Sequence, residues 1–528
     1  MDRRVMPNKI LDRDFAISQI KNTAGLWDII IIGGGATGLG TALDAASRGY
    51  KVLLLEKYDF AKGTSSRSTK LAHGGVRYLK QGDISMVMEA LEERGLMMRN
   101  APHLVRDQKF IIPTYEWWDG PFYNVGLKLY DLLAWKLGLG SSRSLSLEET
   151  IELIPTLETK DLKGGVVYHD GQFDDARLAI NLAQTAVEKG AVIANYMDVI
   201  SLIKENGMVE GVVVTDKDAG ETYSVYGRVV INATGVFADS VIQMDDAQSE
   251  NKITPSQGIH IVLNKEMLPG DTAIMVPKTD DDRVLFAVPW NGKVIVGTTD
   301  TPVDKVDSEP EPREEEIEFL LNHISKYLVK KPTRKDVKSI FTGLRPLVKD
   351  PSKEGTSKLS RSHALFVSES GLITITGGKW TTYRKMAQDT VDKAAILAGL
   401  EERTCMTRSM RIHGWKTNTN FKEDFYYYGS DIYPIRKLMT LHPSLSEKLD
   451  KALPLVKAQV VWAVRHEMAI TVEDFLARRT RSLFLDAEAS LRMTKIVAEL
   501  MADELGKDKK WIKKQMDEFE AIAKNYLA

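Results

Sequence analysis

The sequence predicts an α/β fold: a Rossmann-like nucleotide-binding domain, a β-rich second domain and a C-terminal all-helical domain. Three observations predict it. Trp27 to Glu56, WDIIIIGGGATGLGTALDAASRGYKVLLLE, reads as strand, glycine turn, amphipathic helix and second strand. Residues 191 to 231 and 253 to 300 break into short apolar segments separated by turn residues, as strands do. From about residue 401 the pattern changes to helices with polar connections.

Residues 1 to 25 read as a helical arm, with Leu11, Phe15 and Ile20 as its anchors. The run Ile29 to Ile32 suits a parallel strand buried on both faces, where no alternation is needed. Gly33, Gly35 and Gly38 follow with G-x-G-x-x-G spacing. The first permits a tight turn, the second lets a pyrophosphate approach the backbone, and the third lets helix and strand pack closely. The helix then offers free N–H groups to phosphate. Leu39, Ala42, Leu43 and Ala46 share its apolar face, and the second strand, Lys51 to Leu55, ends in Glu56, 18 residues after Gly38. That carboxylate is placed to take a ribose 2′-hydroxyl. An acid here serves the ribose of NAD or FAD equally.

The whole chain sets the bounds. Its 528 residues, 43% hydrophobic and 27% charged, suit a globular protein of two to four domains. A net charge of −2 with no basic tract gives no reason to expect nucleic acid. One cysteine, Cys405, permits no internal disulfide and no thiolate metal cluster, which fits a reducing compartment. The opening residues carry charges throughout, without the apolar core of a secretory signal. No run of 18 apolar residues occurs, so the chain is expected to be soluble or held at a membrane surface.

After Glu56 the stretch YDFAKGTSSRSTKLAHGGVRYLKQGD is dense in glycine, hydroxyls and cations and reads as a binding loop. Helices are expected at Ser85 to Asn100 and Pro121 to Leu137, their Met and aromatic stripes belonging to the core. GVVYHDGQFDD, from Gly165, passes from strand to a helix over Ala176 to Lys189; its His169 and Asp170 fall short of a ligand set, and no metal site is predicted. Asp216 opens like a calcium loop, but Glu221 stands where that loop requires glycine and Gly227 where it requires an acid, so a hairpin turn is expected. The strand ending at Ile231 enters Asn232-Ala233-Thr234-Gly235, a second place for backbone to meet a cofactor. Glu309 to Glu318 reads as a solvated helix start. Leu372 to Thr376 is a strand entering Gly377-Gly378-Lys379-Trp380, with a helix to about Leu400 beyond it.

In the C-terminal part, helices are expected over 454 to 466, 471 to 481, 487 to 505 and 508 to 526; in the last, Ile512, Met516, Phe519 and Ala523 share a face beside Lys509, Lys510, Lys513 and Lys514, a pattern that can lie on anionic lipid but more commonly packs on other helices with its lysines exposed. The expected units are therefore an arm at 1–25, a nucleotide-binding domain within 26–400 and a helical domain at 401–528. Within 26–400 the cofactor segments are about 26–85, 165–250 and 340–400, with substrate-domain insertions at about 86–164 and 251–339.

GGGATG, TSSRSTKLAHGGVRYL, NATG, GLRPL and GGKWTTYRK, in that order, resemble the FAD-dependent glycerol-3-phosphate dehydrogenases and the related glycerophosphate oxidases. The likeness is dense from about Trp27 to Leu400 and extends to the position and size of the helical domain. It implies noncovalent FAD and oxidation of sn-glycerol 3-phosphate to dihydroxyacetone phosphate by hydride transfer from C2 to flavin N5. In the dehydrogenases the electrons pass to a membrane quinone, in the oxidases to oxygen, with hydrogen peroxide as product. By motif, His260 and Arg345 fall at the family's catalytic positions, and Arg77, Tyr78, Arg361 and Lys379 at its substrate-binding positions. Gly33, Gly35, Gly38, Glu56, Ser65, Ser66, Lys70, His73, Gly74, Gly75 and Gly378 match positions around the flavin, to which the NATG turn adds Gly235.

The chemistry asks for these residue types. A phosphate dianion in a cleft needs several fixed cations, and arginine presents a planar fork to two oxygens at once. A secondary alcohol losing hydride must also lose its hydroxyl proton, for which His260 is the natural acceptor. Oxidase relatives often carry a long insertion between the GLRPL arginine and the later Ser-Arg motif; here 16 residues separate Arg345 from Arg361, which favours the dehydrogenase. The resemblance places such an enzyme in the cytoplasm, peripheral on the cytoplasmic membrane face, and homodimer formation is the assembly it allows. An amino-acid oxidase on the same fold would want one arginine for a carboxylate and little need for a cluster of cations, and a module using FAD only structurally would be excluded by substrate-dependent bleaching of the flavin.

Overall fold

Ile29 to Ile31 are fully buried in the middle of a parallel sheet, in this computed structural model, which describes residues 10–22, 25–75, 84–116, 119–134, 138–277, 279–280, 283–349 and 362–528. The strand Trp27–Ile32 pairs in parallel with Val52–Leu55 on one side (Ile29 opposite Val52) and with Thr222–Asn232 on the other (Ile31 opposite Ile231). The order across the sheet is His363–Val367, Ile373–Gly377, Thr222–Asn232, Trp27–Ile32, Val52–Leu55 and Val192–Ala194. Helices Ala36–Ser47, Asp175–Glu188 and Tyr383–Leu397 cover one face, where Leu39, Ala42, Leu43 and Ala46 are buried as the periodicity requires. Each such leucine or isoleucine contributes about 1.5–3 kcal/mol by leaving water.

Thr222–Asn232 also closes an antiparallel meander with Met197–Glu205 and Met208–Asp216. The first hairpin turns at Asn206 and Gly207, both at positive φ (52° and 84°), which is why that dipeptide suits a tight hairpin. At the second, Asp216 accepts from the backbone N–H groups of Asp218 and Ala219 and pairs with Arg13 at 2.7 Å. The arm contains the helix Arg13–Lys21; Leu11 and Ile20 are buried, but Phe15 is 57% exposed and anchors nothing.

Among the described residues the second sheet has ten strands. Its long members are Ile253–Asn264, paired antiparallel with Val337–Val348 and Lys293–Gly297, and Val105–Thr114, paired with Gly164–Phe173. This differs from the expected segmentation, which put 165–173 and 340–348 with the cofactor sheet. Both strands hydrogen-bond into the second sheet instead: Gly164–Phe173 enters the helix Asp175–Glu188 yet pairs with Val105–Thr114, and Val337–Val348 pairs with Ile253–Asn264.

The C-terminal part contains the helices Ile432–Leu441, Lys457–His466, Ala487–Leu505 and Lys509–Ala523. Where a regular helix over 471–481 was expected, Asp474–Arg479 winds as a single wide π-turn segment. Phe519 and Ala523 are buried against the core that includes Met493 and Val497, while Ile512 and Met516 are half-buried. Among the described residues no helix is long and apolar enough to cross a membrane.

Candidate active site

A cavity of about 470 Å³ opens at the carboxyl ends of the parallel strands, where ligands enter open α/β sheets. Its floor is the first glycine turn. Gly33 has φ +108°, and a Cβ on Gly38 would stand 1.9 Å from the Gly33 carbonyl oxygen, so neither position accepts another residue without moving the turn. Gly35 N-caps the helix, whose first N–H, that of Ala36, donates to Ser65 Oγ at 2.9 Å. Gly35, Glu56 and Ser65 line the cavity.

Gly235, Gly377 and Gly378 line it from the other side, at φ of 61°, 77° and 70°. The two strand–glycine–helix units, widely separated in sequence, thus enclose one space. Trp380, also in the wall, donates its indole N–H to the Ser65 carbonyl at 2.8 Å and fastens the binding loop to the second turn. Lys379 beside it reaches the same wall. Glu56 is held by the N–H groups of Gly34 (2.6 Å) and Tyr58 (2.8 Å). Burial pushes its carboxyl up, against those two bonds, which favour the carboxylate. A glycine-walled cavity, a helix N-terminus and an acid at the end of the second strand fit a dinucleotide with its ribose at Glu56.

His260 and Arg345 lie on the paired strands Ile253–Asn264 and Val337–Val348, beside but outside the wall of this cavity. The His260 ring is 2% exposed, stacks on Phe341 at 4.6 Å between centroids, and places Nε2 2.9 Å from Thr69 Oγ1. Burial, then the charges of Lys70 and Arg345, hold its pKa well below the usual histidine range, so the ring is neutral. Arg345 donates to the Thr299 carbonyl and the Thr298 hydroxyl, both at 2.9 Å, and approaches Asp300 at 3.4 Å. It is a cation fixed in place before any ligand arrives.

Other expected site residues fall differently. Lys70 is fully buried, paired with Asp175 at 2.7 Å and facing the rings of Trp290, Phe341 and Phe484, so it stands behind the site and does not line the cavity. Ser66, Gly38, His73, Gly74 and Gly75 are also outside the cavity wall. Gly74 is instead tied by its N–H to the Tyr130 hydroxyl at 2.8 Å. Arg77, Tyr78 and Arg361 lie outside the described residues. Gly258 and Gly297 escaped the sequence reading, and Thr69 and Trp380, though within its motifs, were not singled out as site residues. A Cβ on Gly258 would lie 2.3 Å from the Arg345 guanidinium, and one on Gly297 2.2 Å from the His260 ring. An isolated glycine within a strand pattern was the available signal.

A family model described as FAD dependent oxidoreductase matches residues 28–384, and one described as C-terminal domain of alpha-glycerophosphate oxidase matches residues 372–512. A mitochondrial glycerol-3-phosphate dehydrogenase of Arabidopsis thaliana is 40% identical over 544 residues, covering 95% of this chain and 86% of the relative. The structure of a glycerol-3-phosphate dehydrogenase from Bacillus halodurans, complexed with FAD, superposes with a TM-score of 0.77 at 30% identity over 98% of each chain. An L-alpha-glycerophosphate oxidase from Mycoplasma pneumoniae, also with FAD bound, shares the fold at a TM-score of 0.57 and 18% identity, over 73% of this chain and 98% of its own.

Proposed function

The chain belongs to the FAD-dependent glycerol-3-phosphate dehydrogenase family and is an FAD-dependent oxidoreductase, and we propose that it oxidises sn-glycerol 3-phosphate to dihydroxyacetone phosphate and delivers the electrons to a membrane quinone. FAD, when bound, supplies the hydride acceptor at N5. The chain's own residues must hold the phosphate, orient C2 and take the hydroxyl proton. The observation that carries this reading is a fixed arginine and a neutral histidine on paired strands next to the cofactor cavity.

Arg345, with Lys379, Arg77, Arg361 and the Tyr78 hydroxyl, is assigned to the substrate. Arg345 already spends several N–H groups on carbonyl and hydroxyl oxygens, so its position costs no ordering when a phosphate binds. The hydroxyl proton is assigned to His260 Nε2, reached through the Thr69 hydroxyl in contact with it. Gly33, Gly35, Glu56, Ser65, Gly235 and Gly378 are assigned to FAD. The short link from Arg345 to Arg361 supports the quinone as acceptor, and with it a place on the cytoplasmic face of the membrane.

The test is anaerobic. Adding sn-glycerol 3-phosphate to the purified yellow protein is expected to bleach its visible absorption. Re-oxidation by a short-chain quinone is then expected to outpace re-oxidation by oxygen. A flavin that stays oxidised with this substrate overturns the reaction, and faster recovery with oxygen overturns the acceptor.

A further inference from the structure

The cofactor cavity has a third wall, contributed by neither glycine turn. Between the strand Thr301–Pro302 and the helix Glu314–Ser325 the chain passes along the opening, and Val306, Asp307 and Ser308 line it. The next residue, Glu309, begins the charge run expected to be solvated. It is instead a junction. One carboxylate oxygen accepts from Arg67 at 2.6 Å and lies 3.1 Å from Lys62 Nζ; the other accepts from the Tyr526 hydroxyl at 3.4 Å.

These partners come from two places. Lys62 lines the cavity itself, and Arg67 is two residues beyond Ser65, which also does. Tyr526 lies at the end of the C-terminal helical part. Lys62 has a second carboxylate partner there, Glu473 at 2.7 Å, which in turn accepts from Arg478 at 2.5 Å. The side chains of Lys62 and Arg67 are 9% and 4% exposed, so water screens these contacts little. Glu309 therefore joins the strap at 306–308, the binding loop and the C-terminal helical part at the edge of the cavity.

We propose that Glu309 is a positioning residue through which seating of the C-terminal helical part closes the FAD cavity, so that docking of that part and retention of FAD are energetically coupled. The strap cannot swing away while Glu309 is held by Arg67 and Lys62. Lys62 keeps its place in the wall through Glu473, and Tyr526 caps the junction from the last turn of the chain. Coupling of this kind is reciprocal: FAD must hold the helical part as firmly as the helical part holds FAD. The proposal rests on the cavity being the FAD site and is independent of substrate and acceptor.

The experiment removes FAD from the wild-type protein and from Glu309→Gln, then follows rebinding and release by flavin fluorescence. Wild type must rebind FAD; if it does not, the cofactor assignment fails rather than the coupling. The expected result is a dissociation constant raised roughly tenfold in Glu309→Gln, mostly through faster release, with Glu309→Asp recovering part of the loss. Hydrogen exchange on wild type supplies a reading that needs no variant: without FAD, protection should fall in residues 473–482 and 519–526 more than in the buried strand Trp27–Ile32. Unchanged FAD affinity in a folded Glu309→Gln protein overturns the proposal, and so does C-terminal exchange that ignores FAD.

Discussion

Arg345 and His260 owe their positions to two glycines with no functional group of their own. Because a Cβ on Gly258 would intrude on the guanidinium, Gly258→Ala is expected to raise the KM for glycerol 3-phosphate about tenfold, with little change in FAD content. Gly297→Ala presses on the imidazole and should lower kcat more than it raises KM; steady-state kinetics that reverse this split would exchange the two roles. The neutrality of His260 has its own signature. Its pKa is held far below 6.5 by burial, Lys70 and Arg345, so the pH profile of kcat/KM should show no acidic limb near 6.5. An inflection there that disappears in His260→Asn would show that the ring titrates in the ordinary range. Lys70 marks where residue-level reading stops. Its type and motif suggested a hand on the flavin, but its partner Asp175 is remote in sequence, and nothing local announces that the two meet in a buried pair.

Elements were legible wherever a period or a glycine turn declared them. The strand Trp27–Ile32, its helix and the second strand follow from sequence alone, as does the Gly377-Gly378 turn, because local geometry demands those residues. What sequence reasoning missed was the sheet to which a strand belongs, since pairing of Gly164–Phe173 and Val337–Val348 is decided by distant partners. Charge placement was equally hidden. His413 bridges the end of the helix Asp175–Glu188, through Glu188 at 2.6 Å, to Asp431 at 2.8 Å, just before the helix Ile432–Leu441. Burial pulls its pKa down, but hydrogen bonds to Asp431 and Glu188 outweigh it and raise it to about 9. A raised histidine stabilises the fold fully below its unfolded pKa of about 6.5, and that stability is lost as pH rises through about 9. With Glu188 39% exposed and its contribution screened, the loss is on the order of 2 kcal/mol. His413→Gln should flatten the fall in urea midpoint between pH 6 and 9; a slope equal to wild type would show that the ring is not charged in the folded protein.

At the scale of the molecule, the helical part is seated on the cofactor half by buried charge. Asp59, in the binding loop, accepts from Arg478 at 2.5 Å and from Arg479 at 2.6 and 2.9 Å, while Arg481 pairs with Asp174 and Arg177 with Glu467, each at 2.7 Å. In sequence, Arg478, Arg479 and Arg481 look like surface cations; the wide turn Asp474–Arg479 aims the first two into the interface, and Arg481, just beyond it at φ 57°, reaches Asp174. Burial alone would push the Asp59 carboxyl up, but Arg479 and Arg478 outweigh it and hold it below the usual range, so the group remains ionised. Such a pair need not add net stability over an apolar interface, yet deleting one partner strands the other's charge at about 3–5 kcal/mol. Asp59→Ala is therefore expected to cost that much and to do so unevenly. The core of the helical part, including Phe475, Leu476, Met493 and Phe519, is completed by Val262, Trp290, Ile295 and Phe341 of the second sheet, and the substitution leaves it intact. Calorimetry should resolve the wild-type transition into two, with the interface and bound flavin lost before the helical core melts. The same substitution should spare the variant part of the acid lability of wild type. Asp59 stabilises above its unfolded pKa of about 4 and loses that contribution as pH falls through its depressed folded value. A single transition at the wild-type temperature would mean that the arginines are satisfied by Glu473, Asp474 and Glu467 without Asp59, and that the two halves are held together by their apolar contacts alone.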